Sequence, residues 1–118
     1  MAVKNKIAHG IGWLLVILIW LLSLLPLSVP TTAVEGGDKI GHFVAYAVMT
    51  YWFLHLYPKT WLVIWAFIVM GVMIEVLQGL TTFRFFEWAD ILANGLGVVV
   101  AWFVFGGLKV HIKILCSR

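Results

Sequence analysis

The chain has 118 residues, of which 64% are apolar and 11% charged, with a formal charge of +3. A soluble domain of this size shows most of its residues to water and carries roughly 25% charged residues. Composition therefore excludes an ordinary soluble enzyme, a disordered tail and a disulfide-stapled secreted domain. The lone cysteine, Cys116, has no partner for an internal disulfide, and the basic residues lie between apolar runs instead of forming a nucleic-acid patch. No nucleic acid is expected as a partner, and the expected solvent is the lipid bilayer.

A spanning helix needs about 20 apolar residues, with its backbone polar groups hydrogen-bonded inside the segment. Ile7–Leu27 is the first such stretch, broken only by His9, Gly10, Gly12, Ser23 and Pro26. Lys4 and Lys6 ahead of it also fit a signal peptide cleaved near Thr31-Thr32-Ala33, but the apolar run exceeds the roughly 7–15 residues of such a segment. A retained helix is expected. Ser28–Asp38, with Pro30 and Gly36-Gly37, reads as a loop. Ile40–Tyr57 is the shortest stretch and carries His42, Tyr46 and His55. Pro58-Lys59-Thr60 makes a tight turn between antiparallel helices. Trp61–Leu80 follows, carrying Glu75 and Gln78. Thr81–Trp88 (TTFRFFEW) is too aromatic for a solvated loop and is expected at the membrane interface or folding back into it. Ala89–Leu108 closes the series with Asp90 and Asn94.

The expected architecture is one all-α domain over residues 1–118, a bundle of four transmembrane helices. Lys4, Lys6, Lys59, Lys109, Lys113 and Arg118 fall on one face, and only Lys39 and Arg84 on the other. The positive-inside rule then places both termini in the cytoplasm. Trp61 and Trp88 stand at span ends, where interfacial anchors belong. Four short helices bury little surface, which leaves room for a homo-oligomer.

With that orientation all five acidic residues, Glu35, Asp38, Glu75, Glu87 and Asp90, face outward. His42 lies roughly 6 Å into its helix, and Glu75 and Asn94 roughly 7–8 Å from the outer ends of theirs. Three helices thus place polar residues in one layer, while the other half holds only His9 and His55 near helix ends. Asp38, His42 and Tyr46 (or Ala45) share a face, as do Gly71, Glu75 and Gln78, and Asp90, Asn94, Gly97 and Ala101. In the last two, the polar stripe runs into small residues, which mark close helix approach. The polar faces should therefore meet each other, because an ionised group facing lipid is expensive.

Each residue has a structural reading beside the functional one. Glu75, a carboxylate inside a span, is a functional candidate by default, or else pairs with Arg84 or Lys39 or sits protonated in a hydrogen bond. His42 can act as a general base oriented by Asp38, can ligate a metal, or can sit neutral beside an Asp38 that caps the helix. Asp90 and Asn94 can line a site or serve as cap and interhelical hydrogen bond. Arg84 and Lys39 suit an anion such as phosphate or carboxylate, or Arg84 snorkels or pairs with Glu87. His9, His55 and the aromatics read as anchors and packing. A metal site from His42, Glu75, Asp38 and Asp90 has no HExxH, CxxC or histidine cluster behind it. No metal and no cofactor is expected.

In order, the polar residues read Asp38-Lys39-x-x-His42-Phe43-x-x-Tyr46, Glu75-x-x-Gln78, Arg84, then Asp90-x-x-x-Asn94-x-x-Gly97. This ordered set on three successive spans resembles the VanZ-like family of small bacterial membrane proteins. The matching elements cover residues from about 38 to 97, and the first span carries none of them. The resemblance implies a multi-pass protein of the bacterial inner (cytoplasmic) membrane. It also implies a link to teicoplanin resistance by a route other than remaking the peptidoglycan terminus. It supplies no settled reaction.

Three functions compete. The first is an outward-facing site that binds or processes a lipid-linked or anionic envelope molecule. Its catalytic candidates are His42, Glu75, Asp38 and Asp90; its ligand-binding candidates are Lys39, Tyr46, Gln78, Arg84 and Asn94. The second is a non-catalytic scaffold or binding protein whose polar cluster is structural. The third, a proton or ion pathway, needs polar residues through the full thickness and ranks last.

Overall fold

The computed structural model describes residues 3–24, 37–80 and 88–109. Four α-helices run through them: α1 (Val3–Leu24), α2 (Gly37–Leu56), α3 (Thr60–Gly79) and α4 (Trp88–Trp102). A π-helical turn, Phe103–Gly107, continues α4, and the Leu108 amide donates to the Phe103 carbonyl at 2.8 Å. The described residues form an all-helical protein with no strand.

The helix bounds follow local chemistry. α1 is described as far as Leu24, and the segment that holds Pro26 lies outside the described residues. α2 starts at Gly37, three residues before the expected Ile40, so Gly37 and Asp38 belong to its first turn and not to the loop. A carboxylate is favoured there by the partial positive charge of a helix N-terminus. The rest of the expected loop, through Gly36, lies outside the described residues. Tyr57, Pro58 and Lys59 form the turn between α2 and α3, with the Leu62 and Val63 amides both donating to the Lys59 carbonyl. Of the aromatic segment Thr81–Trp88, only Trp88 lies inside the described residues; it opens α4 and is exposed.

α1, α3 and α4 with its π-helical extension are long and apolar enough to cross a membrane. The apolar part of α2, Ile40–Leu56, is shorter. The exterior bears Ile7, Leu14, Leu22, Trp65, Leu92 and Val99 among many large apolar side chains. A water-soluble protein could not solvate such a surface, whereas lipid matches it.

α2 is the hub, packing on α1, α3 and α4, and its contact with α4 is the most extensive in the molecule. Gly97 makes that contact. An added Cβ there would run into the Phe43 carbonyl oxygen, with the Ala47 nitrogen 2.9 Å away. Ala93, Asn94, Val98 and Ala101 are buried on the same face. The small residues on α4 thus let the two backbones touch, as small residues do between membrane helices. Tyr46, Met49, Phe53, Phe67, Met70, Ile74 and Val98 fill the core.

α1 is peripheral and contributes only the half-buried Val16, Ile19 and Trp20 to that core. It is tied at both ends. Near its start, the Trp52 indole donates to the Ala8 carbonyl at 2.9 Å and the Trp13 indole to the Tyr57 hydroxyl at 3.3 Å. Near its end, the Gln78 amide donates to the Ser23 carbonyl at 2.7 Å.

Candidate functional site

α2 delivers His42, Tyr46 and Thr50 at intervals of four, which stacks them along one helix face. α3 presents Gly71, Glu75 and Gln78, all buried, and α4 presents Asp90, Asn94, Gly97 and Ala101, all buried. The expected inward-facing stripes of α3 and α4 are therefore the ones the fold buries. Gly71 shows how closely they meet. A Cβ added there would lie 3.2 Å from Asn94 Nδ2 and 3.4 Å from Tyr46 Cε2. α3 has a hydrogen atom at this position, and the vacancy admits the Asn94 amide and the Tyr46 ring side by side.

Above this contact is a cavity of about 240 Å³. His42 and Tyr46 from α2, Gln78 from α3 and Asn94 from α4 line it, with Ile19, Leu22 and Ser23 of α1 on the remaining side. It sits at the end of the bundle opposite Lys59. Four of the expected site residues are thus brought to one cavity. Glu75 is fully buried but does not line it. Asp90 is buried one turn above Asn94 and does not line it either. Asp38 and Lys39 belong to α2, but their side chains lie outside the described residues, as does Arg84. Among the described residues no three His, Cys, Asp or Glu side chains stand together as a metal site.

The hydrogen bonding of the layer is uneven. Gln78 spends its amide on the Ser23 carbonyl, in the last turn of α1. Carbonyls there have no intrahelical donor. By contrast His42 Nδ1, the Tyr46 hydroxyl, Thr50 Oγ1 and Asn94 Oδ1 are buried with no hydrogen-bond partner among the described residues. A buried polar group left unsatisfied costs about 1–3 kcal/mol. Such atoms gathered around one cavity give it donors and acceptors with free capacity: an imidazole nitrogen, a phenol and an amide oxygen.

Two features escaped the reading of the sequence. Thr50 is fully buried on the His42–Tyr46 face, and its spacing of four from Tyr46 was the available signal. α1 closes the cavity with Ile19, Leu22 and Ser23, and the Ser23 carbonyl that accepts from Gln78 leaves no polar signature in the sequence. His55 proves to be core, not an interfacial anchor: it is fully buried, Nδ1 lies 2.8 Å from the Tyr51 carbonyl, and the ring packs edge-on against Tyr51 and Phe105.

No curated protein and no solved structure matches the chain. A family model does, that of VanZ/LLP1, over residues 6–109. The match begins inside α1, so it takes in the helix that carries none of the polar motif as well as the three that do. Apolar helices of spanning length, the polar stripes of α2, α3 and α4, and a match over nearly the whole chain lead to one assignment: this is a membrane protein of the VanZ/LLP1 family.

Proposed function

We propose that this chain is a four-span protein of the bacterial inner membrane, with both termini cytoplasmic. Its cavity among α1, α2, α3 and α4 opens on the outer side and binds the polar part of a lipid-linked or anionic cell-envelope molecule. The observation that carries this is the set of buried polar atoms without partners, on His42, Tyr46 and Asn94, around one cavity that Gln78 and Ser23 also line. A ligand that hydrogen-bonds them removes the desolvation penalty those groups carry in the empty site. Ligand sites are commonly mostly apolar with a few placed polar groups. In this reading His42, Tyr46, Gln78 and Asn94 touch the ligand, and Lys39 and Arg84 supply positive charge at the mouth. Glu75, Asp38 and Asp90 set the charge around His42 should protons be exchanged with the ligand. Such a site would serve envelope homeostasis or alter access of a glycopeptide antibiotic to its target.

The test is the lipid content of the purified protein. Wild-type protein extracted in mild detergent should retain an envelope lipid that the double variant Tyr46→Phe, Asn94→Leu loses while staying folded. Equal lipid content in both would remove the site. Turnover of the retained molecule, lost in His42→Ala and Glu75→Gln, would make the site catalytic; retention without turnover makes it a binding site.

A structural role for the polar layer has one observation of its own, the Gln78–Ser23 hydrogen bond that fastens α1 to α3. If that role is the whole of it, the alanine variants lower stability and leave lipid content unchanged.

A further inference from the structure

A larger cavity lies elsewhere among the described residues. Between α1 and α3, floored by Phe53 of α2 and by Tyr57 of the turn that follows it, runs a groove of about 540 Å³. Trp13, Val16 and Trp20 form one wall, at spacings of three and four that keep them on one face of α1. Ala66, Met70 and Met73 belong to the other wall, on α3. The groove follows α3 from Lys59 to Met73, roughly 21 Å at the helical rise per residue. That exceeds the depth of one leaflet, half of a hydrocarbon core about 30 Å thick. Its lining is apolar except at one end, where Lys59 is exposed beside the hydrogen-bonded pair of the Trp13 indole and Tyr57 hydroxyl.

Among the described residues the charge at that end has a single sign. Lys6, Lys59 and Lys109 are all exposed there, whereas the described acidic residues, Glu75 and Asp90, lie in the other half of the bundle. An apolar slot longer than one leaflet is deep, with a cation at its rim, has room for an acyl chain below a phosphate. An amphipathic aromatic pair at headgroup level belongs to the same arrangement. Basic residues at a membrane surface attract anionic lipids.

We propose that the groove between α1 and α3 is a binding site for an anionic phospholipid, with one acyl chain between the two helices and the phosphate at Lys59. The site is independent of the polar cavity, which lies at the opposite end of α3. It would hold a lipid of the leaflet that meets the basic end, and it would fill the gap left where α1 and α3 stand apart. The lipid is then part of the packing between α1 and the rest of the bundle.

The probes are phosphatidylglycerol and phosphatidylcholine with identical chains, and glycerol phosphate as a headgroup without a chain. Each is added to the detergent-solubilised full chain. Ligand binding to the folded state alone raises the melting temperature. Phosphatidylglycerol should raise it by about twice the shift given by phosphatidylcholine, and glycerol phosphate should give none. Lys59→Gln should erase the difference between the two lipids, and Ala66→Trp, which fills the groove, should suppress both shifts. Native mass spectrometry gives a second measure that does not depend on melting: phosphatidylglycerol retained on the wild type and released from Lys59→Gln. Equal shifts from the two lipids, a preference that survives Lys59→Gln, or a shift from glycerol phosphate alone would each overturn the site. So would a disulfide formed between two chains through Ala66→Cys in a Cys116→Ser background, because a second copy would then occupy the groove.

Discussion

At Gly97 the backbones of α2 and α4 touch, and a methyl group there would meet the Phe43 carbonyl oxygen and Tyr46 Cβ as well as the Ala47 nitrogen. None of these is the movable end of a side chain, so Gly97→Ala must push the helices apart. Overpacking of this kind typically costs 1–3 kcal/mol, and approximately the upper end is expected where backbone meets backbone. Gly95, two residues earlier, has open space around its added Cβ. Gly95→Ala should stabilise the helix by up to about 1 kcal/mol. Thermal unfolding of both variants in detergent checks the pair, and equal effects would show that the α2–α4 contact is looser than described. The Tyr46 hydroxyl makes the opposite case. It is buried without a hydrogen bond among the described residues, so Tyr46→Phe should raise stability by about 1 kcal/mol in ligand-free protein. A drop instead would mean that the hydroxyl is satisfied and does not wait for a ligand. The stripe of Asp90, Asn94, Gly97 and Ala101 was legible in the sequence because polarity and small size recur at helical spacing. That Gly71 would admit Asn94 and Tyr46 together was not, because contact between helices depends on their rotation about their own axes.

Among the elements, α1 behaves differently from the rest. Its apolar run identified it as a span, but its place against the bundle left little mark in the sequence, since two of its three tethers use the carbonyls of Ala8 and Ser23. Backbone acceptors exist at every residue and so carry no pattern. α2, α3 and α4 were legible as partners because each carries polar side chains that lipid would penalise. The tethers at the two ends of α1 are far apart along its axis and should act separately. Gln78→Leu removes the 2.7 Å bond to Ser23 and should loosen the end of α1 near the polar cavity, with a stability loss of about 0.5–1.5 kcal/mol. Trp52→Phe removes the bond to Ala8 and should loosen the other end. Spin labels on the exposed pair Leu22→Cys and Leu77→Cys should show a broadened distance distribution only with Gln78→Leu. Labels on Leu14→Cys and Leu62→Cys should broaden only with Trp52→Phe. Broadening of both pairs by either change would show that α1 moves as one rod.

For the molecule as a whole, the weak point of the expected topology is α2. Its apolar part is the shortest, yet the helix has 20 residues from Gly37 to Leu56, about 30 Å at the helical rise, which equals the hydrocarbon thickness. Its extra length comes from Gly37, Asp38 and Lys39 at one end. α2 also cannot lie flat on the surface, because it is packed lengthwise between α1, α3 and α4 and shares the buried core with them. If the three longer helices span, the helix at their centre spans with them. Four crossings return the chain to the side on which it started. Lys6, Lys59 and Lys109 then share a side, and Trp88 faces the other. Single cysteines at these four positions, in a Cys116→Ser background, report the sides directly. Positions 6, 59 and 109 should react with a membrane-impermeant maleimide only after the inner membrane is broken, and position 88 should react in intact spheroplasts. Labelling of 6 and 59 from opposite sides would mean that α1 and α2 together make a single crossing. The polar cavity, which needs α1 and α2 side by side, would then not form.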